Sequence, residues 1–225
     1  MLIVIARYNE DIEWSKKYLS NVLIINKGDK IDGIENQIFY PNVGREGHSY
    51  YKYIVDNYDN LDDYIIFLQG NPFDHSPDII KILDTIIDIY NKNKEEFINM
   101  IINTNINYTV INCGNNNFNN IYINDVKNNN FIYLSHYINN TSIRTEEKLW
   151  ENCRIIANTY EKVFDKKIEN DFKFIYGAGA QFIVSKKAIL KHPKNYYEKI
   201  FKILEYENDP IEGHHIEKFH KYIFE

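Results

Sequence analysis

A chain of 225 residues that is 44% hydrophobic and 15% aromatic, with 19 Tyr and 13 Phe, carries enough apolar side chain to bury a sizeable core, which excludes a disordered chain. Its formal net charge of −6 excludes the basic face of a general nucleic-acid binder, yet leaves room for a small anionic ligand held by a few local cations. Two cysteines, Cys113 and Cys153, support neither a disulfide framework nor a cysteine-based zinc site.

The heavy use of Asn, Ile, Lys and Tyr is the imprint of an AT-rich genome and carries no functional weight. The apolar start at 1–6 meets Arg7 at once. It is too short for a signal peptide or a membrane span, and nothing later approaches the roughly 18 apolar residues a span needs. A cytoplasmic location is the expectation.

In chain order, the run at 2–6 predicts a strand covered on both faces. Arg7-Tyr8-Asn9-Glu10-Asp11 breaks it, 11–19 has the length of a short surface helix, and 22–25 is a second apolar strand ending at Asn26-Lys27-Gly28. Strand, helix and strand within about thirty residues predict a parallel, right-handed βαβ unit. A turn at Asn42 and Gly44 leads into a helix over 45–57, which delivers the chain to a third strand over 64–68. That strand stops at Gln69-Gly70-Asn71-Pro72. In open α/β sheets the loops at the carboxyl ends of the strands gather at one edge and bind ligands.

Ser76-Pro77-Asp78 has the chemistry of a helix start, with Ser76 as N-cap and Pro77 at the first helical position. The segment 100–130 mixes strand-like pieces at 108–111 and 121–123 with Asn clusters at 115–120 and 128–130, which predict surface loops. Helical spacing returns over 145–164. A strand-like piece at 172–176, the small residues 177–180, and a strand at 181–184 follow, with Ser185 as N-cap of a helix over 186–190. An amphipathic helix over 196–207 precedes the last segment, 211–224. With neither linker nor internal repeat, the sequence predicts one α/β domain over 1–225.

Several patterns carry chemistry. Arg7, Lys27 and Arg45 could counter a diphosphate, and the helix start near Gly44 could give it backbone N–H groups. Asp74 and His75 offer acid/base work, because histidine titrates near neutral pH and a carboxylate can orient it. The small residues at 177–180 mark a place where the backbone comes close to a ligand or to another strand. In the last segment, His214, Glu217 and His220 share one face at helical spacing. His48 reads as a packed or solvated histidine.

Together, Val4-Ile-Ala-Arg-Tyr-Asn-Glu10, Asn26-Lys-Gly28, Asn42-Val-Gly-Arg-Glu46, Phe67-Leu-Gln-Gly70 with His75, Gly179-Ala-Gln-Phe182, and Glu217 with Phe219-His220 resemble the DUF3431 family in order along nearly the whole chain. More distantly, the order of parts is similar to the GT-A fold of nucleotide-sugar glycosyltransferases. That resemblance implies a mostly parallel, Rossmann-like sheet flanked by helices, with a nucleotide-binding half over 1–95 and an acceptor half over 96–225. It implies a transferase moving a sugar from a nucleotide-sugar donor to a hydroxyl of a glycan or protein acceptor.

Under this resemblance the substrate-binding residues are Arg7, Tyr8, Asn9, Glu10, Lys27, Asn42, Gly44, Arg45, Gln69, Asn71, Gly179 and Gln181. Asp74, His75, Glu212 and Glu217 are the catalytic candidates. The fold's usual Asp-x-Asp is replaced by Gln69-Gly70-Asn71, whose amides are poor ligands for a hard cation. If Mn²⁺ or Mg²⁺ is the cofactor, Asp74, His75, His214 and His215 are the candidate ligands. The alternatives are a non-catalytic carbohydrate- or nucleotide-binding module and a metal-dependent hydrolase.

Overall fold

The computed structural model describes residues 1–103, 106–112, 118–123, 130–134, 146–168, 173–177 and 179–225. Its main layer is a six-stranded sheet built from β1 (Leu2–Arg7), β2 (Val22–Asn26), β3 (Gln37–Phe39), β4 (Tyr64–Gln69), β7 (Phe131–Tyr133) and β9 (Phe182–Ser185), in the order β3-β2-β1-β4-β9-β7. A smaller antiparallel sheet joins β5 (Ile106–Asn112), β6 (Phe118–Ile123) and β8 (Lys173–Tyr176), with β5 in the middle.

The expected mostly parallel sheet is corrected to a mixed one. β1, β2, β3 and β4 run parallel, with Arg7 beside Asn26 and Ala6 beside Gln69. β9 then enters antiparallel, pairing Phe182 with Phe67, and β7 pairs antiparallel with β9. The reason is local. β9 starts directly after residues 179–181, beside the carboxyl end of β4, and so runs back along it.

The continuous apolar runs of β1 and β4 are buried along their middles, as strands covered on both faces should be. One cover is α1 (Arg45–Asp56), packed against α6 (Lys194–Ile203) and α7 (Ile211–Phe224). The core there is aromatic. Tyr50 lies 4.8 Å from Phe67, Phe67 lies 5.2 Å from Phe182, and Phe182 lies 5.6 Å from Phe224, between ring centroids. On the other flank, Tyr18 donates to Asp84 of α2 (Ile79–Lys92) at 2.7 Å. α3 (Lys94–Asn103), α4 (Glu146–Phe164) and the short α5 (Lys186–Ile189) complete the helices. Among the described residues no helix is long and apolar enough to cross a membrane.

Several local expectations change. The segment expected as a helix over 11–19 is a 3₁₀ stretch, Glu13–Asn21. Ser76 is no cap: its hydroxyl donates to the Leu134 carbonyl at 2.7 Å, tying the post-β4 loop to β7, and α2 starts later, at Ile79. Ser185 does cap α5, its hydroxyl accepting the Ala188 N–H at 3.0 Å. Of the Asn clusters, Asn119 and Asn120 lie in β6, Asn130 lies in a turn, and the rest fall outside the described residues.

Candidate functional site

The parallel strands deliver three loops to one edge, and the sequence makes each loop hold its neighbour. Gly28 follows β2 so closely behind the first loop that a Cβ there would sit 1.9 Å from the Tyr8 carbonyl oxygen, so only glycine fits. Arg7, at the end of β1, donates through Nη1 to Asn26 Oδ1 at 2.9 Å and to the carbonyls of Tyr8 and Asp29 at 3.0 and 2.9 Å. Its Nε donates to the Glu10 carbonyl at 3.0 Å. Asn9 Oδ1 accepts the Asp29 N–H at 2.9 Å. Arg7 and Asn9 therefore staple the β1 and β2 loops together.

Glu10 accepts the Tyr8 N–H at 2.6 Å and packs on Gly70, while Trp14 donates to the Gly70 carbonyl at 3.0 Å. That joins the β1 loop to the loop after β4. Asn71 donates to the exposed Asp74 at 3.4 Å. Gln69, the last residue of β4, is half-buried beside them.

The start of α1 is equally committed. Gly44 and Arg45 are both left-handed, with φ of 64° and 51°. Their N–H groups donate to the carbonyls of Glu207 and Asn208 at 2.8 and 3.1 Å. Lys27 reaches across from β2, and its ammonium donates to the Val43 and Arg45 carbonyls at 2.5 Å each. Burial brings the Lys27 amine down to about 8, with Glu46 partly opposing the shift. Arg45 donates to Asp209 at 3.0 Å, lies 3.1 Å from His214 Nε2, and sits 3.6 Å from Glu46. Burial alone would lower the Arg45 pKa, but Glu46, Asp209 and Glu217 together raise it. Asn42 is half-buried in the turn before Gly44.

A fourth loop closes the edge from the antiparallel side. Gly179 has φ of 92°, and its N–H donates to Glu217 Oε1 of α7 at 2.6 Å. A Cβ on Gly179 would fall 2.4 Å from that of His75, so the histidine lies directly on this glycine. Gln181 donates through Nε2 to the Pro72 carbonyl at 2.9 Å. The candidates His75, Gly179, Gln181 and Glu217 thus meet in one place.

Other candidates lie elsewhere. Glu212 accepts from Lys162 of α4 at 3.1 Å and from Tyr206 at 2.6 Å. Its burial raises the pKa, but those donors outweigh it and the net shift is downward. His214 faces Arg45 and Asp209, whereas His215 turns inward to Thr159 at 2.7 Å, and burial holds it down at about 3. These neighbours on α7 do not share a ligand. Among the described residues no three of His, Cys, Asp and Glu converge as metal ligands.

Sequence reasoning passed over Tyr50 and gave Glu46 only as the last residue of the Asn42-to-Glu46 motif. Tyr50 is fully buried one turn beyond Glu46, and its hydroxyl has no hydrogen-bond partner among the described residues. The signal was their four-residue spacing on one helix face just past Gly44.

Every quoted motif lies at this edge or in its supports, and the model of the family described as a protein of unknown function (DUF3431) matches residues 2–225. The chain belongs to the DUF3431 family. No curated protein matches it. In this DUF3431 chain the exposed aromatic side chains Tyr8, Phe39 and Phe73 stand at the ends of β1 and β3 and in the loop after β4, on the same edge as the polar residues.

Proposed function

We propose that the DUF3431 chain is a sugar-handling protein of GT-A-like fold, a glycosyltransferase that takes a nucleotide sugar and an acceptor hydroxyl. The observation that carries the reading is the gathering of four loops at the carboxyl edge of parallel strands, with exposed aromatic faces beside buried polar groups. Aromatic faces stack on sugar rings and bases, and fixed polar groups orient hydroxyls.

In the proposed reaction the acceptor oxygen forms a bond to the anomeric carbon of the donor. The bond from that carbon to the diphosphate oxygen breaks, and the nucleoside diphosphate leaves with the electron pair. The acceptor proton passes to His75, half-buried on Gly179, or to the neighbouring Asp74. Glu217 holds the loop that carries Gly179. The fold resemblance implies a Mn²⁺ or Mg²⁺ ion, but the donors do not fit one. Gln69 and Asn71 offer neutral amides, and His214 and His215 point apart, so no step is routed through a metal.

One finding favours a second reading, a carbohydrate-binding module without transferase activity. Arg7, Lys27 and Arg45 are all engaged by internal acceptors, which leaves a diphosphate to compete for them. A thermal-shift screen against UDP, GDP, CMP, their sugars and the free saccharides, with and without Mn²⁺, separates the two, since a ligand binding only the native state raises the midpoint. A rise with one nucleotide and its sugar supports the transferase. A rise with free saccharides alone supports the module, and no rise with any of them removes both.

A further inference from the structure

At the amino end of the parallel strands, away from the carboxyl edge, an open cavity of about 600 Å³ lies where β4 begins, β9 ends and α5 starts. Tyr64 and Ser185, paired across β4 and β9, both line it. Five strand steps of about 3.3 Å separate Tyr64 from Gln69, so the cavity lies roughly 16 Å from the candidate site.

Its floor is held by hydrogen bonds between strands. The Ser185 N–H donates to the Asn130 carbonyl at 2.8 Å, the Ser185 hydroxyl donates to Asn130 Oδ1 at 3.0 Å, and the Lys186 N–H donates to the Asp63 carbonyl at 2.9 Å. Phe97 and Tyr90 brace the Tyr64 ring, with centroids 4.9 and 6.1 Å away. Leu190 adds apolar surface that is 44% exposed.

Three lysines surround this floor, Lys186, Lys187 and Lys191, in a chain whose net charge is −6. Lys191 donates to the Glu225 carbonyl. The ammonium groups of Lys186 and Lys187 have no hydrogen-bond or ion-pair partner among the described residues. Asp63, the one carboxylate that lines the cavity among those residues, accepts from Lys94 at 3.3 Å. Lys187 and Lys191 are one turn apart, a spacing at which like charges repel, and an anion between them relieves that repulsion.

The chemistry of the ligand follows from the lining. The volume falls in the range of about 300–1,000 Å³ that small-molecule sites occupy, which is more than a bare inorganic anion fills. A phosphate monoester carries nearly two charges at neutral pH and three acceptor oxygens, so it answers more than one ammonium, whereas a carboxylate brings a single charge. Tyr64 and Leu190 suit an apolar or aromatic group attached to that phosphate.

We propose that this cavity is a second binding site, for a small organic phosphate monoester, with the phosphate among Lys186, Lys187 and Lys191 and its organic part against Tyr64 and Leu190. The site is separate from the carboxyl edge and does not depend on the saccharide reading.

An NMR titration of the full chain with phenyl phosphate, inorganic phosphate and phenol tests it. Phenyl phosphate should move the amide signals of Ser185, Lys186 and Lys187, and should bind roughly tenfold tighter than either inorganic phosphate or phenol. Lys186→Gln and Lys187→Gln should each weaken it several-fold at an unchanged melting temperature, since neither ammonium has an internal partner to lose. Asp63→Asn should tighten it by removing the one repelling carboxylate. Lys202→Gln, at an exposed position of α6, should leave it unchanged. An equal loss in Lys202→Gln would reduce the binding to bulk charge and overturn the site. Signals moving at Arg7 and Arg45 instead would place the phosphate at the carboxyl edge and overturn it too. Inorganic phosphate or phenol binding as tightly as phenyl phosphate would refute the organic monoester, and no binding of phenyl phosphate would remove the proposal outright.

Discussion

The Glu217 carboxylate accepts the Gly179 N–H at 2.6 Å, and the same glycine carries His75 on its other side. One carboxylate on the last helix thus sets where the loop before β9 meets the loop after β4. Glu217→Ala leaves a buried N–H without an acceptor and should cost about 1–3 kcal/mol. Glu217→Gln keeps an acceptor oxygen and should cost less. Urea unfolding of both variants checks this, and equal costs would show that the hydrogen bond does not hold the loop. The imidazole NMR signals of His75 should move in Glu217→Ala and stay near wild type in Glu217→Gln.

Gly28 provides the second test of loop packing. Its missing Cβ would overlap the Tyr8 carbonyl at 1.9 Å and Asn9 Oδ1 at 2.3 Å, so Gly28→Ala must push the β1 and β2 loops apart. The expected cost is about 1–3 kcal/mol, read as a melting temperature lowered by about 2–4 °C per kcal/mol in a chain of this size. An unchanged melting temperature would mean that the loops yield without loss.

Much of this edge was legible because it rests on one-dimensional signals. The apolar runs that became β1, β2 and β4, and the breaks at Arg7, Asn26 and Gln69, follow from the burial demanded of central strands. What was not legible depends on partners distant in sequence. The three-residue β3 has no pattern of its own and exists by pairing with β2. Ser76 carries a helix-cap signature, yet the Leu134 carbonyl, 58 positions away, takes its hydroxyl. Likewise His214 and His215 differ by one residue, but Thr159 and Asp209 pull them to different sides of α7.

Arg7 distinguishes a structural cation from a ligand-binding one. Its fork serves four acceptors on two loops, Glu10, Tyr8 and Asp29 through their carbonyls and Asn26 through its side chain. A lysine keeps the charge but not the planar set of donors. Arg7→Lys should therefore destabilise the ligand-free protein by about 1–3 kcal/mol, seen as a lower urea midpoint with an unchanged m-value. If Arg7 served only a bound anion, the ligand-free midpoint would stay at the wild-type value.

Acid should unfold this protein through its buried imidazoles. Burial lowers His48 to about 4, with Lys27 and Lys52 adding to the shift, and lowers His215 and His220 to about 3. His220 Nδ1 lies 2.7 Å from the Tyr51 hydroxyl in the aromatic core. In the unfolded chain each ring titrates near about 6.5. Between those values the unfolded state binds more protons, so the native state has its full stability from these groups above about 6.5 and loses it as pH falls through that window. By pH 5 each ring accounts for a loss of up to about 2 kcal/mol. Unfolding free energies measured between pH 7.5 and 5 should decline steeply. His215→Gln should flatten that slope by about one proton while weakening the contact with Thr159. A pH-independent stability over this range would show that these histidines are charged in the fold, contrary to their burial.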